Sequence, residues 1–308
     1  MIVAASLHAL LEHSLDYAGL FPPTNLALEP ALQNHAQYVR SPESWMVSGF
    51  VLPVGQFETA RAQLSQFDQK HPLRVCVLGA KTEKPSDFSA ALKQTVSEIR
   101  EFSAQNGTKV SMAQLEMPLP PDADVDLLNS SGSILGQLKL KTFLEAPAEK
   151  AERTISMLAE HRMRAMGDDL GFKLRTGGVT EDAFPDAEQI ATALVSAAKH
   201  RVPIKFTAGL HHPVRAFREE VKTEMHGFLN VIGAGVLSAE HHWEEAQMVE
   251  MLEDQRASSF EFHDTVFAWR DWEITLDRIK ARRKFVTSFG SCSFDEPRED
   301  LHALTFLS

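Results

Sequence analysis

A chain of 308 residues with 44% apolar side chains can bury one large core, and α/β barrels commonly use this length as a single unit. A formal net charge of −11 with no basic stripe argues against nucleic acid as a partner and suits a small-molecule substrate. Two cysteines, Cys76 and Cys292, are too few for a disulfide framework and point to a reducing, cytoplasmic setting.

The N-terminus carries no basic region or cleavage pattern, and the longest apolar stretch, residues 227–237, falls far short of a membrane span. Neither composition nor pattern specifies an oligomeric state. Residues 1–44 read as a helical extension, with a helix over residues 7–16, a break at Phe21-Pro22-Pro23 and a second helix near residues 28–39. The segment 16–23 reads first as a simple helix stop and second as a cap over a barrel mouth.

From Trp45 onward, strand-like and helical runs alternate. The strands are expected at residues 46–53, 73–79, 109–117, 138–146, 171–176, 203–210, 259–263 and 285–289. Amphipathic helices are expected at residues 87–105, 150–166, 187–200, 228–252 and 275–283. Eight strands with helical crossovers predict an α/β fold, a (β/α)8 TIM-type barrel over residues 45–308, within one domain spanning 1–308. An open doubly wound sheet is disfavoured because no glycine-rich dinucleotide turn follows the first strand.

Two segments share one grammar: Phe172-Lys173-Leu174-Arg175-Thr176-Gly177 and Ile204-Lys205-Phe206-Thr207-Ala208-Gly209. Each sets a lysine inside an apolar strand, four residues before a glycine. Barrel strands alternate between helix layer and interior. Phe172 and Leu174 therefore turn Lys173 and Arg175 inward, and Ile204 and Phe206 do the same for Lys205 and Thr207. The same parity points Gln114, Glu116, Lys141, Phe143, Glu145, Glu261 and His263 inside.

The expected interior group near the C-terminal strand ends is Glu116, Glu145, Lys173, Arg175, Lys205, Glu261 and His263. Three acids against three bases make such burial tolerable. A structural ion-pair network is the bland alternative, but apolar packing serves stability as well or better, which favours a working site. Glycine-bearing turns follow the late strands: Thr176-Gly177-Gly178, Gly209-Leu210-His211-His212-Pro213 and Gly290-Ser291-Cys292-Ser293. Their backbone N–H groups could cradle an anion, or the glycines serve only tight turns. Expected substrate contacts are thus Arg175, Thr207, Gly177, Gly178, Gly209, His211, His212, Glu261, Gly290 and Ser291, with Arg175 holding an anionic group.

Like charge and desolvation push a lysine pKa down, so two lysines on neighbouring strands suggest an amine nucleophile. On residues 173–178 and 205–209, the chain resembles class I aldolases of the deoxyribose-phosphate type. In those barrels a lysine precedes glycine by four residues on one strand, and a second lysine precedes a glycine pair on the next. The doubled glycine here follows the first lysine instead. The resemblance implies a lyase or aldolase acting on a small anionic carbonyl compound through a Schiff base, with no cofactor. Lys205 is the expected nucleophile, Lys173 its pKa modulator, and Glu145 and Glu116 the proton carriers.

A broader resemblance rests on Phe172-Lys-Leu-Arg-Thr-Gly-Gly178, Lys205-Phe-Thr-Ala-Gly-Leu-His-His-Pro213, Gly227-Phe-Leu-Asn230 and Ser288-Phe-Gly-Ser-Cys-Ser-Phe294. These strings are similar to a bacterial and plant family of unassigned activity. That resemblance implies a shared site and no particular substrate. Two other chemistries compete. A metal could be held by His211, His212 and His263 with Glu116, Glu145 and Glu261, although no H-x-H or H-E-x-x-H spacing occurs. A non-catalytic small-molecule-binding barrel is the third. Cys292 has no base at suggestive spacing and reads as loop packing or ligand contact, Cys76 as inert core. His226 and Asn230 are expected on a lid-forming loop after the sixth strand.

Overall fold

The computed structural model describes residues 3–165 and 170–307. Met166, the last residue of one expected helix, lies outside them. Helix α1 (Ala5–Leu11), strand β1 (Leu15–Tyr17) and helix α2 (Leu28–Tyr38) come first. Strands and helices then alternate as β2 (Val47–Pro53), α3 (Phe57–Arg61), β3 (Leu73–Leu78), α4 (Pro85–Asn106), β4 (Val110–Pro118) and α5 (Val125–Leu135). The pattern continues through β5 (Lys141–Glu145), α6 (Ala151–Ala165), β6 (Leu170–Arg175), α7 (Ala187–His200) and β7 (Ile204–Thr207). A hairpin of β8 (Ala216–Arg218) and β9 (Thr223–Met225) precedes α8 (Phe228–His241) and α9 (Glu245–Leu252). Strands β10 (Phe260–Phe262), β11 (Val266–Trp269) and β12 (Trp272–Thr275), then α10 (Leu276–Arg282), β13 (Val286–Ser291) and α11 (Asp295–Ala303), complete the order.

Eight parallel strands close in the order β1-β13-β7-β6-β5-β4-β3-β2, so the (β/α)8 barrel expected from alternation is the fold. The outward-facing residues Leu115, Leu144, Phe172, Leu174, Ile204 and Phe206 are fully buried in the apolar layer under the helices. Burying each such side chain contributes about 1.5–3 kcal/mol. Helix α7 begins on a capping box, Asp186 with Gln189, and stops where Arg201 turns left-handed. Helix α5, not expected from its Ser- and Gly-rich sequence, starts where the Asp124 carboxylate accepts the Leu127 N–H at 2.9 Å. Helices α3 and α11 are also additions to the expected set.

Two expectations are corrected. The eighth barrel strand is β1, which pairs with β13 through Leu15↔Phe289, Asp16↔Gly290 and Tyr17↔Ser291, and with β2 on its other edge. Residues 1–44 are therefore no mere extension, and the barrel begins before residue 45. Residues 259–263 do not enter the barrel: β10 pairs antiparallel with β11, which pairs with β12. Phe260 and Phe262 alternate with Glu261 in either setting, because a hairpin with one wet face has the same period as a barrel strand. This small sheet packs beside α1, where the Ser6 N–H donates to His263 O at 3.1 Å. The single helix expected over 228–252 is two. His242 turns left-handed and ends α8, and Trp243 then packs between Trp269 and Trp272.

Candidate active site

Lys173 on β6 and Lys205 on β7 are register partners, so the two ammonium groups stand abreast inside the barrel. Lys205 is 1% exposed and donates to Asp16 Oδ2 at 2.8 Å and to Glu116 Oε1. Lys173 pairs with Glu116 Oε2 at 2.6 Å and with Glu145 Oε2 at 2.8 Å. Glu116 on β4 thus bridges both lysines, one oxygen to each. Asp16 also accepts from Gln114 Nε2 at 3.0 Å, Ser288 Oγ at 2.7 Å and Cys76 Sγ at 3.1 Å. The Phe143 ring flanks Lys205, its centroid 5.6 Å from Nζ. Arg175, half-exposed at the rim, lies 3.5 Å from Glu145 Oε1.

Charge is balanced three against three, but Asp16 supplies the carboxylate expected of Glu261. The signal that would have found it is the alternation Leu15-Asp16-Tyr17, an inward acid between two apolar residues. Glu261 and His263 are exposed on the small sheet and face each other at 3.5 Å, because that sheet packs outside the barrel.

The cage fixes protonation. Burial alone would raise the Glu116 carboxyl, yet Lys173 and Lys205 hold it down to about 2. Burial alone would lower Lys205, yet Asp16 and Glu116 push it above the ordinary lysine value. Two carboxylates bonded to one ammonium favour its charged form, opposite in direction to the neutral Lys205 amine expected from the sequence.

A cavity of about 600 Å³ opens at the C-terminal strand ends. Its wall includes Lys173, Glu145, Arg175, Thr207, Gly178, Gly209, His211, Gly290 and Cys292. Lys205 and Glu116 are absent from that wall and lie deeper. Phe21, Pro22 and Pro23 form one side of the mouth, so the loop after β1 caps the barrel as its second reading held. Gly177 is off the cavity wall and packs closely, since a Cβ there would stand 2.8 Å from Gly209 Cα. Gly209 itself has φ +74°, which a side chain would strain.

Other expected contacts turn elsewhere. Ser291 Oγ lies 3.4 Å from His211 Nδ1 and is off the cavity wall. His212 faces α11, with Nδ1 2.5 Å from Asp300 Oδ2. Asn230 accepts from the Arg215 N–H and donates to the carbonyls of Met251 and Asp254, pinning loops instead of forming a lid. His226 contacts Arg215 and the Pro185 carbonyl. The expected metal ligands are scattered, since His211, His212 and His263 each face a different acid. Among the described residues, Asp16, Cys76 and Glu116 bring ligand atoms close enough for a metal, and the Lys205 ammonium already bonds both carboxylates.

A closed (β/α)8 barrel with a buried lysine–carboxylate cage beneath its C-terminal mouth defines the class of this protein. No family model and no curated protein matches the chain. Two solved structures are similar at low identity. One, described as AsfvAP:AG, is 9% identical with a TM-score of 0.46, covering 96% of this chain and 95% of its own. The other, a Haloferax volcanii malate synthase in a pyruvate/acetyl-CoA ternary complex, is 11% identical with a TM-score of 0.44, covering 97% and 76%. Identities this low carry no activity from those proteins to this one. Among the described residues, no helix is long and apolar enough to cross a membrane.

Proposed function

We propose that the protein is a lyase of the aldolase type, cleaving or forming a carbon–carbon bond in a small anionic carbonyl compound, with Lys173 as the amine. The observation that carries this reading is the division of labour between the lysines. Lys173 stands on the cavity wall beside Glu145, while Lys205 is sealed behind it and locked as a cation.

In this reading Glu145 takes a proton from the Lys173 ammonium, 2.8 Å away, and the free amine adds to the substrate carbonyl carbon. The carbinolamine loses water with a proton returned by Glu145, leaving an iminium. Glu145, again a carboxylate, takes the proton of the substrate's β-hydroxyl as the electron pair of the scissile C–C bond moves onto the iminium, giving an enamine and releasing the second carbonyl fragment. Protonation and hydrolysis of the enamine restore Lys173. Lys205 keeps Glu116 ionised and occupied, so that Glu145 is the carboxylate left to exchange protons.

The anionic part of the substrate is assigned to Arg175 and Lys81, which line this cavity and an adjoining one of about 310 Å³ that also carries Lys150 and Arg153. Four cations at one mouth, on a chain of net charge −11, are a local reversal of sign suited to an anion.

The test is borohydride trapping across a panel of phosphorylated and carboxylated aldehydes and ketones, with the adduct located by peptide mass. Trapping on Lys173, lost in Lys173→Met and retained in Lys205→Met, is the expected result. Trapping on Lys205, or none across the panel in the wild type, overturns the assignment.

A further inference from the structure

Cys292 follows β13, and its thiol reaches the same cavity as Lys173. Thr24, just past the Phe21–Pro23 side of the mouth, donates its hydroxyl to Sγ at 3.0 Å. His211 lies alongside, with Nδ1 at 3.7 Å and Nε2 at 4.0 Å from Sγ. Glu296 of α11 faces the same Nδ1, its Oε2 3.1 Å away, and Ser291 Oγ lies 3.4 Å from that nitrogen. A thiol beside a hydroxyl donor and an imidazole that itself faces a carboxylate has the partners that stabilise a charge-separated thiolate and imidazolium. We propose that Cys292 is a second reactive centre, a thiolate held by His211 and Glu296, which adds to soft electrophilic carbon such as the β-carbon of an α,β-unsaturated carbonyl compound.

The surroundings agree in direction. Burial alone would raise the Cys292 thiol, but the His211 hydrogen bond and charge, with Thr24, bring it below its ordinary value. Burial would lower His211, yet Cys292 and Glu296 bring it up to about 9. The other titratable and charged groups around the pair include Tyr17 on β1, His212 in the same loop, Arg218 on β8, Asp295 on α11 and, on the cavity wall, Lys81, Glu145, Lys173 and Arg175. Cys76 is the internal contrast: fully buried and bonded to Asp16, its thiol is pushed up.

In the addition, sulfur forms the S–C bond at the β-carbon and the C=C electron pair moves to the α-carbon as an enolate. The His211 imidazolium delivers the proton there. No electron is gained or lost overall, and the step stands whether or not Lys173 forms an imine.

The probe is N-ethylmaleimide, an α,β-unsaturated carbonyl compound, reacted with the folded full-length protein between about pH 5 and 9 and read by peptide mass. Thiolate ultraviolet absorbance of wild type against Cys292→Ser is followed in parallel. Cys292 should be modified at a rate that levels off below the ordinary thiol range, at least tenfold above that of a folded His211→Gln variant near neutral pH, with Glu296→Gln between them. Cys76 should remain unmodified. A rate that climbs through the ordinary thiol range, no modification of Cys292 in the folded protein, or a thiolate absorbance unaffected by His211→Gln would each overturn the proposal.

Discussion

Replacing Lys205 with methionine is the sharpest probe of the cage. The side chain has similar length and an apolar end, so shape is nearly kept while the ammonium is lost. Asp16 then faces no cation, and Glu116 keeps Lys173 alone. In the wild type, Lys173 and Lys205 hold the Glu116 carboxyl well below its ordinary value, so the ionised group stabilises the fold at neutral pH. That contribution is complete above about pH 4.5 and is lost as pH falls towards 2. Removing one partner from a buried ion pair costs roughly 3–5 kcal/mol, a large fraction of a typical domain's stability.

The variant should therefore lose about 4 kcal/mol at pH 7.5. It should lose less at about pH 3, where the wild type itself gives up part of the Glu116 contribution. Urea unfolding followed by tryptophan fluorescence at both pH values measures the two losses. A loss below about 1 kcal/mol at pH 7.5, or equal losses at the two pH values, would refute the account of a charge-locked cage.

The converse substitution, Asp16→Asn, leaves Lys205 with Glu116 as its bonded carboxylate. Its loss, read in the same urea assay at about pH 7.5, should be roughly 2–4 kcal/mol. Gly209→Ala puts a Cβ 2.8 Å from Gly177 Cα at a residue with φ +74°, and calorimetry should show about 1–3 kcal/mol of lost stability. Gly55→Ala, where a Cβ meets nothing within 4 Å, should stay within about 0.5 kcal/mol of wild type and serves as its control.

The cage was half legible before any coordinates. Lys173, Lys205, Glu116 and Glu145 sit on strands long enough for apolar neighbours to declare which way they point. Asp16 escaped because β1 has three residues, too few to establish a period, and lies next to a helix that ends at Leu11. Glu261 was drawn in by an alternation that a surface hairpin shares with a barrel strand. The pairing of Cys292 with His211 and Glu296 could not be read from spacing. His211 lies 81 residues from Cys292 and 85 from Glu296, and only closure of β13 against β7 brings their loops together. The direction of the Lys205 shift was not legible for an energetic reason: parity locates charges but does not say which sign prevails around each amine.

The short strand at Leu15–Tyr17 also sets the order of assembly. Asp16 meets Lys205 across 189 positions, and its strand rests on β13, so an emerging polypeptide cannot shelter that carboxylate until nearly all of its length has left the ribosome. Sealing the barrel and completing the ion pair between Asp16 and Lys205 are therefore a single late event in folding, and any intermediate that stops short of it leaves a solvated acid at one end of the chain and, in its second half, an amine with Glu116 as its bonded carboxylate.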